Sequence, residues 1–112
     1  MPIKYNPGVD PKLLDQKLQK ALFFIDKAST FEIICTSGLR TPENNAKVGG
    51  SPTSSHLKGL ACDFSTPDSK IRYWIRYWAY MAGIRRIGQP KIGDHLHLDI
   101  DYTKVNPCDF IE

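Results

Sequence analysis

Several things are scarce in this chain, and each scarcity excludes something. No stretch of its 112 residues is apolar over a length that could span a bilayer, and the opening MPIKYNPGVDP has no apolar core of a signal-peptide kind. The expectation is a protein with no export signal and no membrane partner. There are three cysteines, Cys35, Cys62 and Cys108, an odd number with no close spacing. They exclude a disulfide framework and a cysteine-rich structural zinc site, and read as reduced thiols. No low-complexity tract, internal repeat or shift of composition marks a linker, so residues 1–112 are expected to form one domain, large enough to bury its own core. Charge of either sign is in small excess. Fifteen Lys and Arg against twelve Asp and Glu leave a net +3, which favours an anionic partner without selecting one.

What the chain does have is clear punctuation. Asp10-Pro11 reads as an N-cap followed by proline at the first helical position, and Leu14, Leu18, Ala21, Leu22 and Ile25 recur at helical spacing, predicting a helix over 11–28. TFEIICTS (30–37) predicts a buried strand ending near Gly38. Thr41-Pro42 opens a short helix that Gly49 and Gly50 close. In LACDFS, Leu60, Cys62 and Phe64 alternate with Ala61 and Asp63, so this is a strand with two different faces. Thr66-Pro67 starts the best-defined helix, with Ile71, Trp74, Ile75, Trp78 and Ala82 as its buried stripe and Gly83 as its stop. IRRIG (84–88) and HLHLDID (95–101) predict an antiparallel hairpin, and the tail after Asn106-Pro107 reads as irregular. This order of elements predicts an α+β fold, a small antiparallel sheet with helices packed on one face.

The chemistry is concentrated in a few residues, because the chain has only three histidines. In a strand, His95, His97 and Asp99 project from one face and Leu96, Leu98 and Ile100 from the other. A lone histidine in a loop is by default a surface residue, and HxH spacing arises by chance. Added to His56 and Asp63 of SSHLKGLACDF, however, the strand completes a His, Asp, His set. Two imidazoles and a carboxylate leave a fourth tetrahedral position open to water, the pattern of a catalytic zinc site rather than a structural one. The other conspicuous stretch, IRYWIRYWAY, interleaves basic and aromatic residues as a single-strand nucleic-acid platform does. Its tryptophans share the helical stripe of Ile71 and Ile75, so they are expected in the core with Arg72 and Arg76 on the solvated side, and no nucleic-acid partner is expected.

SGLRTPENNAKVGGSPTSSHLKGLACDF together with DHLHLD resembles the zinc D-alanyl-D-alanine carboxypeptidase and endolysin peptidase family, whose fold is shared with the signalling domain of hedgehog proteins. The resemblance runs from about Thr36 to Asp99. Its S-x-H-x-x-G-x-A-x-D signature falls on Ser54, His56, Gly59, Ala61 and Asp63. It implies one Zn2+ per chain held by His56, Asp63 and His97, with Asp94 as general base and Arg40 facing the scissile carbonyl. Along a regular strand Asp94 would point away from His97, so it has to lie on the turn or a bulge before the strand; Gly93 beside it permits this. The bland alternative for Arg40 is a surface ion pair with Glu43. Ser54 and His95 are candidate substrate-binding residues, although Ser54 also suits a local loop hydrogen bond and His95 can exchange roles with His97. Asp99 is placed to orient an imidazole. The implied activity is hydrolysis of an amide bond in peptidoglycan stem peptides by a monomer, cytoplasmic until released or virion-associated if phage-encoded. The competing expectation is a zinc-bearing recognition module that binds cell-wall peptides without cutting them.

Overall fold

The strand His95-Leu96-His97-Leu98-Asp99 organises the molecule, because its two faces have opposite chemistry and each has found its partner. In the computed structural model, which describes residues 2–112, the chain runs β1 (Ile3–Tyr5), α1 (Gln16–Ala28), β2 (Ile33–Ser37), α2 (Pro42–Lys47), β3 (Ala61–Ser65), α3 (Ser69–Met81), β4 (Arg86–Gln89), β5 (His95–Asp99) and β6 (Cys108–Ile111). Two 3-10 turns, Pro11–Leu13 and Ser55–Lys58, interrupt this order. The strands form one six-stranded sheet in the order β1-β2-β3-β5-β4-β6.

The four central strands pair antiparallel, and the 84–101 segment forms the expected hairpin. Both edges differ from expectation. β1 adds to β2 and β6 adds to β4, each in parallel, so the sheet is mixed rather than antiparallel. β6 replaces the irregular tail expected after Pro107.

One face of the sheet is the core side. Leu96 and Leu98 of β5, Cys62 and Phe64 of β3 and Ile87 of β4 are fully buried against Leu18 and Ile25 of α1 and Ile75 and Ala79 of α3. Each leucine buried this way contributes about 1.5–3 kcal/mol relative to exposure. The two long helices touch each other and α3 lies on β5, so both are on this face. The opposite face carries Asp63, His97 and Asp99, and the segment between β2 and β3 brings Arg40 and His56 onto it.

Local chemistry moved two helix starts. The helix expected over 11–28 is broken at Leu14, which is extended; a second cap, Asp15, accepts the Lys17 amide at 2.8 Å and starts α1. The Asp15 amide in turn donates to the Gly59 carbonyl at 2.9 Å, tying α1 to the turn that carries His56. At the start of α3 the cap is Asp68, not Thr66: Asp68 accepts the Ile71 amide at 2.8 Å, while the Thr66 hydroxyl donates to the Gly93 carbonyl at 2.9 Å. Either side chain can cap, and Thr66 is committed to the turn before β5. Trp78 is buried and Trp74 packs against the core as the stripe predicts. Arg72 and Arg76 are half-buried rather than solvated, Arg72 donating to the Gly93 carbonyl at 3.0 Å and Arg76 pairing with Asp109 and Gln89.

Candidate metal centre

His56 sits in the 3-10 turn Ser55–Lys58, where the Ser54 hydroxyl oxygen accepts the His56 amide at 3.2 Å. The turn ends at Gly59 with φ of 70°, in the left-handed region, and a Cβ there would lie 3.1 Å from the Leu13 carbonyl oxygen. A glycine is thus required on two counts. The His56 ring places Nδ1 2.8 Å from the Gly38 carbonyl, which accepts its proton and leaves Nε2 facing Asp63 Oδ1 at 3.3 Å.

Asp63 and His97 are directly opposed across the β3–β5 ladder. His97 Nδ1 lies 3.2 Å from the same Asp63 Oδ1, and its Nε2 lies 2.6 Å from Asp99 Oδ2. Asp99 is fully buried, so His97 Nε2 carries the proton and donates it. Both imidazoles are therefore fixed from behind by an acceptor and turn their other nitrogen toward one carboxylate oxygen.

That donor set fits a cation. With the Gly38 carbonyl and Asp99 taking the ring protons, two nitrogen lone pairs and a carboxylate converge, an arrangement that repels itself unless a positive charge sits among them. The three ligand atoms all lie within 4.8 Å of one another. Tetrahedral zinc with bonds of about 2.0–2.1 Å separates its ligand atoms by roughly 3.3 Å, matching the two contacts to Asp63. A proton on an imidazole meets the same need. Burial disfavours the charged form of His97, but the carboxylates of Asp63 and Asp99 more than reverse this and raise its pKa to about 9. Burial likewise pushes the Asp63 carboxyl up, yet hydrogen bonds from His56 and His97 hold it well below the usual carboxylate range. The cluster can hold one metal ion, and it is the one such group among the described residues.

Around the cluster is an open cleft of about 270 Å³, lined among others by Arg40, Ser54, His56, Arg86, His97, Phe110 and Glu112. A larger cleft of about 410 Å³ lies by α1 and residues 82–85, away from the metal-ligating set. Arg40 is inside the site and not paired with Glu43. Its Nη2 donates to Asp63 Oδ2 at 3.3 Å, Nη1 to Asn45 Oδ1 at 3.2 Å and Nε to Ser37 Oγ at 3.3 Å.

Asp94 and His95 are at the rim. Asp94 lies on the turn before β5, next to Gly93 with φ of 77°, and its side chain is 70% exposed. Its carboxylate contacts His95 Nδ1 at 3.0 Å, and Glu112 Oε1 contacts His95 Nε2 at 2.8 Å. The structure thus gathers Arg40, Ser54, His56 and His97 in the cleft lining, with Asp63 buried behind them in contact with Arg40 and both histidines, and leaves Asp94 and His95 outside that lining. Sequence reasoning missed Asn45, Arg86, Phe110 and Glu112. Phe110 comes from β6 and Glu112 directly follows it, and four residues are too few for an alternating period to reveal that strand.

A converging His–Asp–His set whose two histidines line an open cleft, on the polar face of a mixed sheet, is the arrangement of a mononuclear hydrolytic metal centre. The sequence profile described as Peptidase M15 matches residues 4–99, and the chain belongs to that family of peptidases. Among solved structures, the fold is similar to that of the Serratia marcescens L-Ala D-Glu endopeptidase ChiX, with a TM-score of 0.59 and 17% identity over 89% of this chain and 92% of that one. A search of curated proteins finds no match. No helix among the described residues is long and apolar enough to cross a membrane.

Proposed function

We propose that this M15 peptidase is a single-domain, monomeric enzyme that binds one zinc ion and hydrolyses an amide bond in peptidoglycan stem peptides. The observation that carries the reading is the convergence of His56 Nε2 and His97 Nδ1 on Asp63 Oδ1 at 3.3 and 3.2 Å. Family membership and the fold shared with an L-Ala D-Glu endopeptidase support the substrate class.

His56, Asp63 and His97 would hold the ion. When bound, zinc supplies Lewis acidity, which polarises a carbonyl and lowers the pKa of water. The chain's own residues do the rest. Arg40 turns a guanidinium toward the cleft from a position fixed by Ser37 and Asn45, where it offsets negative charge that develops on the scissile carbonyl oxygen. Asp94 accepts a proton from the attacking water and returns it to the leaving amine, with His95 beside it fixing the carboxylate. Ser54, in the cleft lining, and His95, which contacts the lining residue Glu112 from the rim, contact the substrate.

The outward position of Asp94 favours a second reading, a zinc-bearing module that recognises cell-wall peptides without cutting them. Incubation of the purified chain with muropeptides, followed by mass spectrometry of the products, separates the two. Cleavage that chelation abolishes and zinc restores is expected. Binding of muropeptides with no cleavage at any zinc concentration would establish the recognition module instead.

A further inference from the structure

One buried cation beside the cluster has no part in the reading so far. Arg86 is 7% exposed and stands directly opposite Asp99 across the β4–β5 ladder. Its Nε donates to Asp99 Oδ1 at 2.8 Å and its Nη1 to the Val105 carbonyl at 2.6 Å. The same guanidinium lies 4.9 Å from the centre of the Phe110 ring, and that ring meets the His97 ring edge-on at 5.7 Å.

These contacts divide Asp99 between two tasks. Oδ1 is occupied by Arg86 and by the Asp101 amide at 3.0 Å, which leaves Oδ2 alone for His97 Nε2 at 2.6 Å. A carboxylate held at one oxygen by a buried guanidinium cannot rotate away from the imidazole. The ring itself is confined by the edge of Phe110, and the sheet is built to admit that side chain. Residue 88 opposite it is glycine, where a Cβ would lie 2.5 Å from Phe110 Cε2.

We infer that Arg86 and Phe110 are positioning residues of the metal centre, which hold Asp99 and the His97 ring so that Nδ1, and not Nε2, is presented to the ion. A half-turn of the ring would replace Nδ1 with a carbon atom that cannot ligate. The inference rests on the reading of His97 as a metal ligand. Against it stands a purely structural role, in which Arg86 does no more than neutralise a buried carboxylate. Lysine at that position would keep the charge, but it has no planar fork to hold Asp99 and the Val105 carbonyl together.

Zinc affinity, measured by competition with a chromophoric chelator, and the visible absorption spectrum of the cobalt(II)-loaded protein test this on the full chain. The variants are Arg86→Lys and Phe110→Leu, with Lys58→Met as a control that removes a different charge from the neighbouring Asp101. Positioning predicts zinc affinity about 10–100-fold weaker in both test variants, the range for loss of a group that orients a ligand, and an altered cobalt spectrum. Lys58→Met should stay within about twofold of the parent, since it touches neither Asp99 nor His97. Parental affinity and spectrum in Arg86→Lys and Phe110→Leu would overturn the inference and leave Arg86 with the structural role. Circular dichroism checks folding; if Arg86→Lys does not fold, Phe110→Leu, which leaves every charge in place, decides alone. A parent chain that binds no zinc fails differently, because it removes the metal centre itself.

Discussion

Arg40 and Asp63, 23 residues apart in the chain, form a 3.3 Å ion pair in which the guanidinium takes the carboxylate oxygen that the two imidazoles leave over. Arg40 therefore lines the open cleft while it holds Asp63, able to meet a substrate and to steady the carboxylate. Arg40→Ala is expected to fold and retain zinc while losing about 10²-fold or more in turnover, as for removal of one oxyanion donor. Turnover near that of the parent would reduce Arg40 to a support for Asp63.

Removal of the ligands gives a direct count. Metal analysis of His56→Ala, Asp63→Ala and His97→Ala should each show loss of the single zinc, and His95→Ala should keep it, because His95 faces Asp94 and Glu112 instead of Asp63. Loss of metal in His95→Ala with retention in His97→Ala would reverse the assignment.

Asp94→Asn separates the peptidase from the recognition module at the level of one atom. A general base contributes roughly 10²–10⁴ in rate and nothing to metal affinity. The variant should bind zinc like the parent and cleave muropeptides at a small fraction of its rate. Equal cleavage by both would move the proton-accepting role to another group, His95 being nearest at hand.

The interplay of proton and metal fixes a pH dependence. A His97 pKa raised from 6.5 to about 9 stabilises the metal-free fold fully below 6.5, and that contribution is lost as pH rises through 9. The lowered pKa of Asp63 acts in the opposite direction: its contribution is present above 3.8 and lost as pH falls through the lowered value. Metal-free protein should thus be most stable between these windows, from about pH 4 to 6.5. Zinc must displace the His97 proton, so its apparent affinity should rise by about tenfold per pH unit up to about 9 and then level off. Thermal melts with and without zinc across this range check the prediction, and a zinc-induced gain in Tm that does not change with pH would contradict it.

The strand HLHLD was legible in the sequence because its period of two is unmistakable, and it placed leucines in the core and His97 and Asp99 in the site together. Gly59 and Asp63 were legible for a similar reason, since a turn glycine followed by an alternating strand leaves little freedom. The edges were not. β1 has three residues and β6 four, too few for a period to emerge, and each pairs in parallel with a strand far from it in the chain or screened by another element. Losing β6 from the sequence reading meant losing Phe110 and Glu112. IRRIG offers two arginines, and nothing in it says that Arg86 rather than Arg85 turns inward. The inward position of Arg40 depends on Asp63 and Asn45, partners that no local pattern reveals.

The three donors are not equally anchored. Asp63 and His97 face each other across the central ladder of the sheet, so separating them means breaking backbone pairing at the heart of the molecule. His56 rides on a four-residue turn outside the sheet, held by the Gly38 carbonyl and the Ser54 hydroxyl. An ion bound by all three would therefore leave by an ordered route. His56 would be the first to let go, while Asp63 and His97, held in register by the sheet, would keep the ion until a competing ligand took it.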